Sequence, residues 1–162
     1  FTALTFLEFF DNQLTSLDVS NNTALKWLDG WNNQLTSLDV SNNTALTHLW
    51  CFGNQLTSLD VSNNTALMGL DCNDNQLTNL DVSNNTALMA LYCNDNQLTT
   101  LDVRNGNNQN ISTTTSYYLN LTNNPQLYCI DVDNASWSTA TWTVALGFID
   151  NQSFFSEDCG VK

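Results

Sequence analysis

The residues able to do acid–base or nucleophilic chemistry are few and regularly spaced. Cys51, Cys72 and Cys93 recur every 21 residues, His48 is the single imidazole, and the two glutamates stand near opposite ends of the chain. An enzyme needs an acid, a base or a nucleophile that converge on one point, and no Ser–His–Asp or Cys–His spacing is present. The sequence therefore predicts a protein that is not an enzyme and that carries no cofactor.

A column of aspartates is the strongest candidate for cation binding. Carboxylates recur at one position of a 21-residue unit and are expected to point outward in register: Asp18, Asp39, Asp60, Asp81 and Asp102, with Asp131 continuing the column. Carboxylates stacked about 5 Å apart repel one another unless hydrogen-bond donors or cations offset their charge. We favour hydroxyl groups of the flanking Ser and Thr as those donors. Calcium along the column is the alternative, because all-oxygen ligands suit it.

A repeated unit must position these side chains. Thr23-Ala24-Leu25 returns every 21 residues, and each unit reads TALxxLxxxxNQLTSLDVSNN with few departures. Around the second Leu of each half-unit, apolar residues alternate with polar ones, as Leu59 and Val61 do with Asp60. The pattern predicts an all-β repeat protein, a parallel β-solenoid with two strand-like halves per coil. Every position of the unit then becomes a column of similar side chains.

Two asparagine columns are expected at the turns between these halves. A buried amide can bond backbone groups at a corner that strand pairing leaves unsatisfied. We therefore interpret both columns as structural. One consists of Asn12, Asn33, Asn54, Asn75 and Asn96, and the other of Asn21, Asn42, Asn63, Asn84 and Asn105.

The motifs LTSLDVSNNTAL and LxxLxCxxNQL resemble the leucine-rich-repeat family. The resemblance is to its short, nested 21-residue type, found in surface proteins of Bacteroidetes-like bacteria, and it extends from residue 2 to about residue 106. Residues 123–133, with the later Cys159, resemble the C-terminal cap of such proteins. The resemblance implies an exported protein, secreted or at the cell surface, with a role in recognition or adhesion. We expect five leucine-rich repeats in residues 1–106, followed by an irregular last coil and a cap in residues 107–162.

The aperiodic tail is expected to cover the open end of the last coil, because an uncovered sheet edge invites aggregation. A polar loop is predicted from Arg104 to Ser116, and half-repeats are predicted around Leu119 and Ile130. The aromatic residues that follow are expected to form the core of the cap: Trp137, Trp142, Phe148, Phe154 and Phe155. The chain starts within the pattern at Phe1, so we expect an uncapped N-terminal end through which copies of the chain could associate.

The three evenly spaced cysteines occupy an inward column. Earlier coils have Phe9 and Gly30 at the same position, and a position that accepts Phe, Gly and Cys is one that serves packing. We expect free, buried thiols that act as small apolar groups. A zinc site is not expected, because ligands in a single column cannot surround the metal tetrahedrally.

The remaining cysteines, Cys129 and Cys159, lie outside that column. Cys129 takes the outward position that Ser58 holds in an earlier coil. We expect a disulfide between them that ties the cap to the last coil, as is usual in an oxidising compartment.

Charge and hydropathy exclude two classes of partner. The chain has 16 acidic and 3 basic residues, for a net charge of −13. Nucleic acid and anionic membranes are poor partners, because binding them requires clustered Lys and Arg. No stretch reaches the roughly 18 apolar residues that span a bilayer, so membrane insertion is not expected.

Positions that differ between otherwise constant units mark the candidate binding surface, because folding does not require their identity. They concentrate on the outward positions of the first half-unit, where Gly69 and Ala90 also lie. The candidate ligand-binding residues are Phe6, Glu8, Trp27, Asp29, Trp31, His48, Trp50, Phe52, Asp71 and Tyr92.

An exposed aromatic patch is a usual mark of a binding site. Trp with nearby Asp suits sugar rings, and the same groups suit a protein partner, so the sequence predicts a protein or glycan ligand. The alternatives are a surface that packs on upstream repeats or on another copy of the chain, and an ice-binding solenoid. The last would use the aligned column of Thr15, Thr36, Thr57, Thr78 and Thr99.

Overall fold

The computed structural model describes residues 3–111 and 119–160. Its elements are β1 (Phe6–Glu8), β2 (Trp27–Asp29), β3 (His48–Trp50), β4 (Gly69–Asp71), β5 (Asn79–Asp81), β6 (Ala90–Tyr92), β7 (Thr100–Asp102), β8 (Leu119–Asn120), β9 (Cys129–Asp131), α1 (Ala135–Thr141) and β10 (Phe154–Ser156). Short 3₁₀ turns cover Asn108–Asn110 and Val144–Leu146. The predicted start of the first unit at Thr2 and the 112–116 part of the predicted polar loop lie outside the described residues.

The described strands form two parallel sheets. Sheet A has six strands in the order β1-β2-β3-β4-β6-β8, and sheet B has four in the order β10-β9-β7-β5. Pairing joins equivalent residues of successive coils, as Leu28 with Leu49 and Leu49 with Leu70. The predicted parallel β-solenoid is confirmed.

The core is a set of leucine and valine columns. The middle Leu of β2, β3, β4 and β6 in sheet A is buried, and so is the Leu that ends each TAL motif after the first coil: Leu25, Leu46, Leu67 and Leu88. Because the side chains of a strand alternate between its two faces, one column points inward while its neighbours point outward. Each buried Leu contributes roughly 1.5–3 kcal/mol relative to an exposed one.

The second half of the coil differs from the prediction of two strand-like halves. Among the described residues, sheet B begins only at β5, in the fourth coil. In the earlier coils this half runs without strand pairing, and asparagine side chains connect it to the next coil. Asn43 Nδ2 donates to Val19 O at 3.0 Å, and Asn64 Nδ2 donates to Val40 O at 3.0 Å.

The first asparagine column bonds successive coils at the turn after sheet A. Asn54 Nδ2 donates to the carbonyls of Cys51, in its own coil, and of Gly30, in the preceding coil, both at 3.1 Å. Its Oδ1 accepts the backbone N–H of Leu35 at 3.0 Å. One side chain thus satisfies three backbone groups. The same contacts recur at Asn33, Asn75, Asn96 and Asn124.

The second structural column is one residue further along than the sequence predicted. Asn21, Asn42, Asn63 and Asn84 are exposed, and Asn105 alone of that predicted column is buried. The buried amides are instead those of Asn43, Asn64 and Asn85. Asn64 Nδ2 reaches two carbonyls of the preceding coil, those of Val40 and Asn43, because the turn directs this side chain toward the core.

The inward cysteine column contains free, buried thiols at Cys51, Cys72 and Cys93. Earlier in this column, Phe9 fills the space beside Gly30. A Cβ added to Gly30 would lie 2.1 Å from the Phe9 ring, so the absence of a side chain at Gly30 makes room for that ring.

The C-terminal segment covers the last coil. A disulfide joins Cys129 in β9 to Cys159, with their Cα atoms 5.8 Å apart. Arg104 pairs with Asp102 at 2.5 Å and donates to Glu157 O at 3.2 Å, which connects the fifth coil to the tail. Trp142, Phe148 and Phe155 are buried in the cap, and Trp137 packs at its edge. Phe154, expected in this core, is instead exposed, because β10 pairs with β9 and directs alternate side chains to solvent.

Asn64→Ala and Asn63→Ala compare a buried amide with its exposed neighbour. We expect Asn64→Ala to lower the free energy of unfolding by about 1–3 kcal/mol, because it removes the donor to the buried Val40 and Asn43 carbonyls. Asn63→Ala should change it by less than about 0.5 kcal/mol. Urea unfolding of both variants measures the difference, and equal effects would contradict the assignment of the column.

Candidate functional site

The outer face of sheet A brings the variable positions together. In sheet A, β2, β3, β4 and β6 bury their middle Leu and direct the residues on either side to the outer face. The strand register and its continuation into the next turn give three outward columns. They are Phe6, Trp27, His48, Gly69 and Ala90; Glu8, Asp29, Trp50, Asp71 and Tyr92; and Phe10, Trp31, Phe52, Asn73 and Asn94.

Aromatic rings in the first column stack from coil to coil. The Trp27 ring lies between those of Phe6 and His48, with centroids 5.7 and 4.3 Å away and interplanar angles of 25° in both pairs. Phe6 comes from the preceding coil and His48 from the following one, so both faces of the Trp27 ring are covered. Burial lowers the pKa of His48.

The third column repeats this arrangement with nearly parallel rings. Trp31 lies between Phe10 and Phe52, at centroid distances of 4.7 and 5.2 Å and interplanar angles of 4° and 3°. Trp50, in the middle column, meets Trp27 at 4.6 Å and 72°. We call these seven residues the aromatic patch: Phe6, Phe10, Trp27, Trp31, His48, Trp50 and Phe52.

Small residues end the first column. Gly69 and Ala90, which the sequence placed on the outward face, are buried. A Cβ added to Gly69 would lie 3.1 Å from His48 Cδ2, so the imidazole covers this position. The aromatic patch therefore stops at the third coil.

In the middle column, Asp29 is shielded from water and Asp71 is partly buried. Asp29, predicted to face solvent, is only 3% exposed, because it lies among large side chains, with Trp50 as its strand partner. Its Oδ1 and the Nε1 of Trp27 are buried without a hydrogen-bond partner among the described residues. Burial raises the pKa of Asp29, and burial raises the pKa of Asp71 to about 6.

The second aspartate column, on the side of sheet B, forms local hydrogen bonds. Asp18, Asp39 and Asp60 each accept the backbone N–H of the Ser two residues later, at 2.9 Å. Bonds from those serines lower the pKa of each carboxyl. Asp131, expected to point outward, is buried beneath the tail and accepts Cys159 N at 2.8 Å. The described residues contain no group of three or more His, Cys, Asp or Glu side chains suited to a metal ion.

The thiols and the imidazole lie in different environments. Cys51, Cys72 and Cys93 are in the core, where burial raises the pKa of each thiol. His48 is stacked on the outer face and bonds Thr47 Oγ1 through Nδ1 at 3.1 Å. A buried neutral thiol is a poor nucleophile.

Known proteins with similar structures share this fold. The family model of the LVIVD repeat matches residues 30–49. The chain is similar to the functional domain of InlJ from Listeria monocytogenes, a domain that includes a cysteine ladder, at 36% identity and a TM-score of 0.65. That match covers 81% of this chain and 31% of the InlJ domain. No curated protein matches.

A second similar structure is an internalin (InlF) of Listeria monocytogenes, with a TM-score of 0.64 and 21% identity. The match covers 99% of this chain and 49% of that one, and it shows the fold alone. The chain thus spans about a third of one relative and about half of the other. Together the matches show a leucine-rich-repeat solenoid. Among the described residues, no helix is long and apolar enough to cross a membrane.

Sequence reasoning left Phe10 out of the site, although it stacks on Trp31 and is 38% exposed. The alternation of inward and outward residues in β1 continues past the end of the strand to Phe10. This alternation is the sequence signal that would have placed Phe10 in the site.

The raised pKa of Asp71 makes stability depend on pH. The folded state holds the Asp71 proton more tightly than the unfolded chain, so its contribution to stability is present below about pH 4 and is lost as the pH rises through about 6. We expect Asp71→Asn to stabilise the protein by about 1–3 kcal/mol near neutral pH and by much less near pH 4. Urea unfolding at both pH values measures this, and an equal effect at both would contradict the assigned burial.

Proposed function

We propose that this chain is a non-catalytic recognition or adhesion module of a secreted or cell-surface bacterial protein, and that its aromatic patch binds a protein partner. The observation that carries the proposal is the aromatic patch itself, seven rings on three adjacent coils at the outer face of one sheet. Solenoids use such extended faces for binding. A disulfide in the cap supports an extracellular location.

The packing of the rings favours a protein over a glycan at this patch. A sugar stacks on the open face of an aromatic ring, and both faces of Trp27 and Trp31 are already covered by neighbouring rings. Between the end rings of each stack, the rings present their edges to solvent. Edges suit the side chains and backbone carbonyls of a protein surface, because the edge of a ring is the positive part of its quadrupole.

The charge of the face favours a basic partner. Glu8, which is exposed, and Asp71, which is partly exposed, occupy the middle column beside the rings, and Lys26 precedes β2. The chain as a whole carries −13. A partner with Lys or Arg around an apolar centre would be attracted at long range and would complement these carboxylates on contact.

Burial of the candidate nucleophiles supports a role without catalysis. The three free thiols are in the core, and His48 is stacked between coils with its pKa lowered. No convergent acid, base and nucleophile is present among the described residues of the outer face.

A paired screen of cell-surface proteins and glycans tests the proposal. The native chain is compared with a Trp27→Ala/Trp50→Ala variant and with Tyr128→Ala/Phe154→Ala, a matched loss of two exposed aromatic residues away from the patch. We expect binding to at least one basic protein. The patch variant should weaken it at least about tenfold, because buried Trp residues dominate such interfaces, and the control should not.

Circular dichroism checks that the variants remain folded, and Phe10→Ala provides a single change at a more exposed ring. Binding to glycans alone, equal loss in the control, or binding only between copies of this chain would contradict the proposal.

A further inference from the structure

A second candidate site lies where the repeat ends. A cavity of about 350 Å³ lies between the turn that follows the fifth coil and the start of the cap. Its lining includes Asn108, Gln109, Asn110, Asp133 and Trp137. We call it the amide cavity. Its volume is at the small end of the range for ligand pockets, about 300–1,000 Å³.

Reciprocal hydrogen bonds hold the two sides of the amide cavity together. Asp133 Oδ1 and Oδ2 accept the backbone N–H groups of Gly106 and Asn108, at 3.0 and 3.2 Å. Asn108 Oδ1 accepts the N–H of Asp133 at 2.8 Å, and Asn108 Nδ2 donates to Val103 O. These hydrogen bonds therefore fix the geometry of the cavity wall without a ligand.

The other amides are not needed to stack the coils. Asn108 is buried, and its Nδ2 donates to a core valine carbonyl, that of Val103, as Asn43 and Asn64 do in earlier coils. Gln109 and Asn110 are exposed at the cavity. Asn110 Nδ2 donates to Asn107 Oδ1, and Asn134 Oδ1 accepts Trp137 N at 2.8 Å at the start of α1. The break in the 21-residue period therefore adds Gln109 to the lining, outside these local bonds and outside the bonds that stack the coils.

Trp137 supplies the apolar part of the lining. Its ring packs nearly at a right angle against the buried Trp142, with centroids 5.4 Å apart and an interplanar angle of 80°, and this contact fixes its orientation. The Trp137 side chain is only partly buried, and it lines the cavity.

We propose that the amide cavity binds one sugar unit of a glycan. Asn and Gln amides both donate and accept hydrogen bonds, as vicinal hydroxyls do, and an indole offers a surface for the C–H side of a sugar ring. Among the described residues, neither Lys nor Arg lines the cavity, and Asp133 repels anions, so phosphate and carboxylate ligands do not fit. This site is separate from the aromatic patch and does not rest on its proposed role.

Saturation-transfer NMR with free monosaccharides tests the proposal directly. The probes are glucose, galactose, mannose, fucose and N-acetylglucosamine, each added to the native chain. We expect saturable transfer to the ring protons of at least one sugar, with a shift of the Trp137 indole resonance. Trp137→Ala should abolish the transfer, and Gln109→Ala should weaken binding about two- to tenfold, as the loss of one hydrogen bond does.

Two control variants isolate the amide cavity. Gln55→Ala removes an exposed amide elsewhere in the solenoid, and Trp31→Ala opens the aromatic patch, so neither should alter the transfer. Because Trp137→Ala could disturb the cap, the Gln109→Ala result is decisive. Absence of transfer to all five sugars, equal binding in Gln109→Ala, or an equal loss in Trp31→Ala would overturn the assignment.

Discussion

Strand pairing covers only a small part of each coil, and the asparagine side chains at the turns join further backbone bonds between coils in satisfying the rest. The described strands are two or three residues long within a unit of 21, so the turns contain many buried N–H and C=O groups. Each such group costs about 1–3 kcal/mol if it stays unpaired. Asn54 and Asn64 illustrate the solution: one bonds three backbone groups across two coils, and the other bonds two carbonyls of the coil before it.

This arrangement also explains how a constant framework can present a variable face. The amides, leucines and valines that join the coils point inward, so the outward positions are free to differ without loss of the turn. Stacking then places equivalent side chains near the spacing of parallel strands, about 4.8 Å. Rings at such positions meet face to face, as Phe10, Trp31 and Phe52 do at 4.7 and 5.2 Å. Coil stacking itself thus covers the faces of the inner rings and leaves their edges for a partner.

Repetition made the solenoid and its inward columns predictable, because both follow from the 21-residue period and from local alternation. The sequence could not decide which member of each Asn-Asn pair is buried. Asn63 and Asn64 are chemically identical, and the path of the turn selects Asn64. The burial of Asp29 was also missed, because it depends on large rings contributed by neighbouring coils. The amide cavity arises where the period breaks, so no repeat pattern indicated it.

Hydrogen exchange of individual amides tests the central claim most directly. The backbone N–H groups of Leu35, Leu56 and Leu77 donate to asparagine side chains of the next coil, at 2.9–3.0 Å. If these bonds hold the coils together, the three amides will exchange as slowly as that of Cys51, which donates to Asp71 O at 2.8 Å beside sheet A. Exchange as fast as that of exposed turn amides would show that the asparagine bonds do not help to hold the coils together, and it would contradict the account.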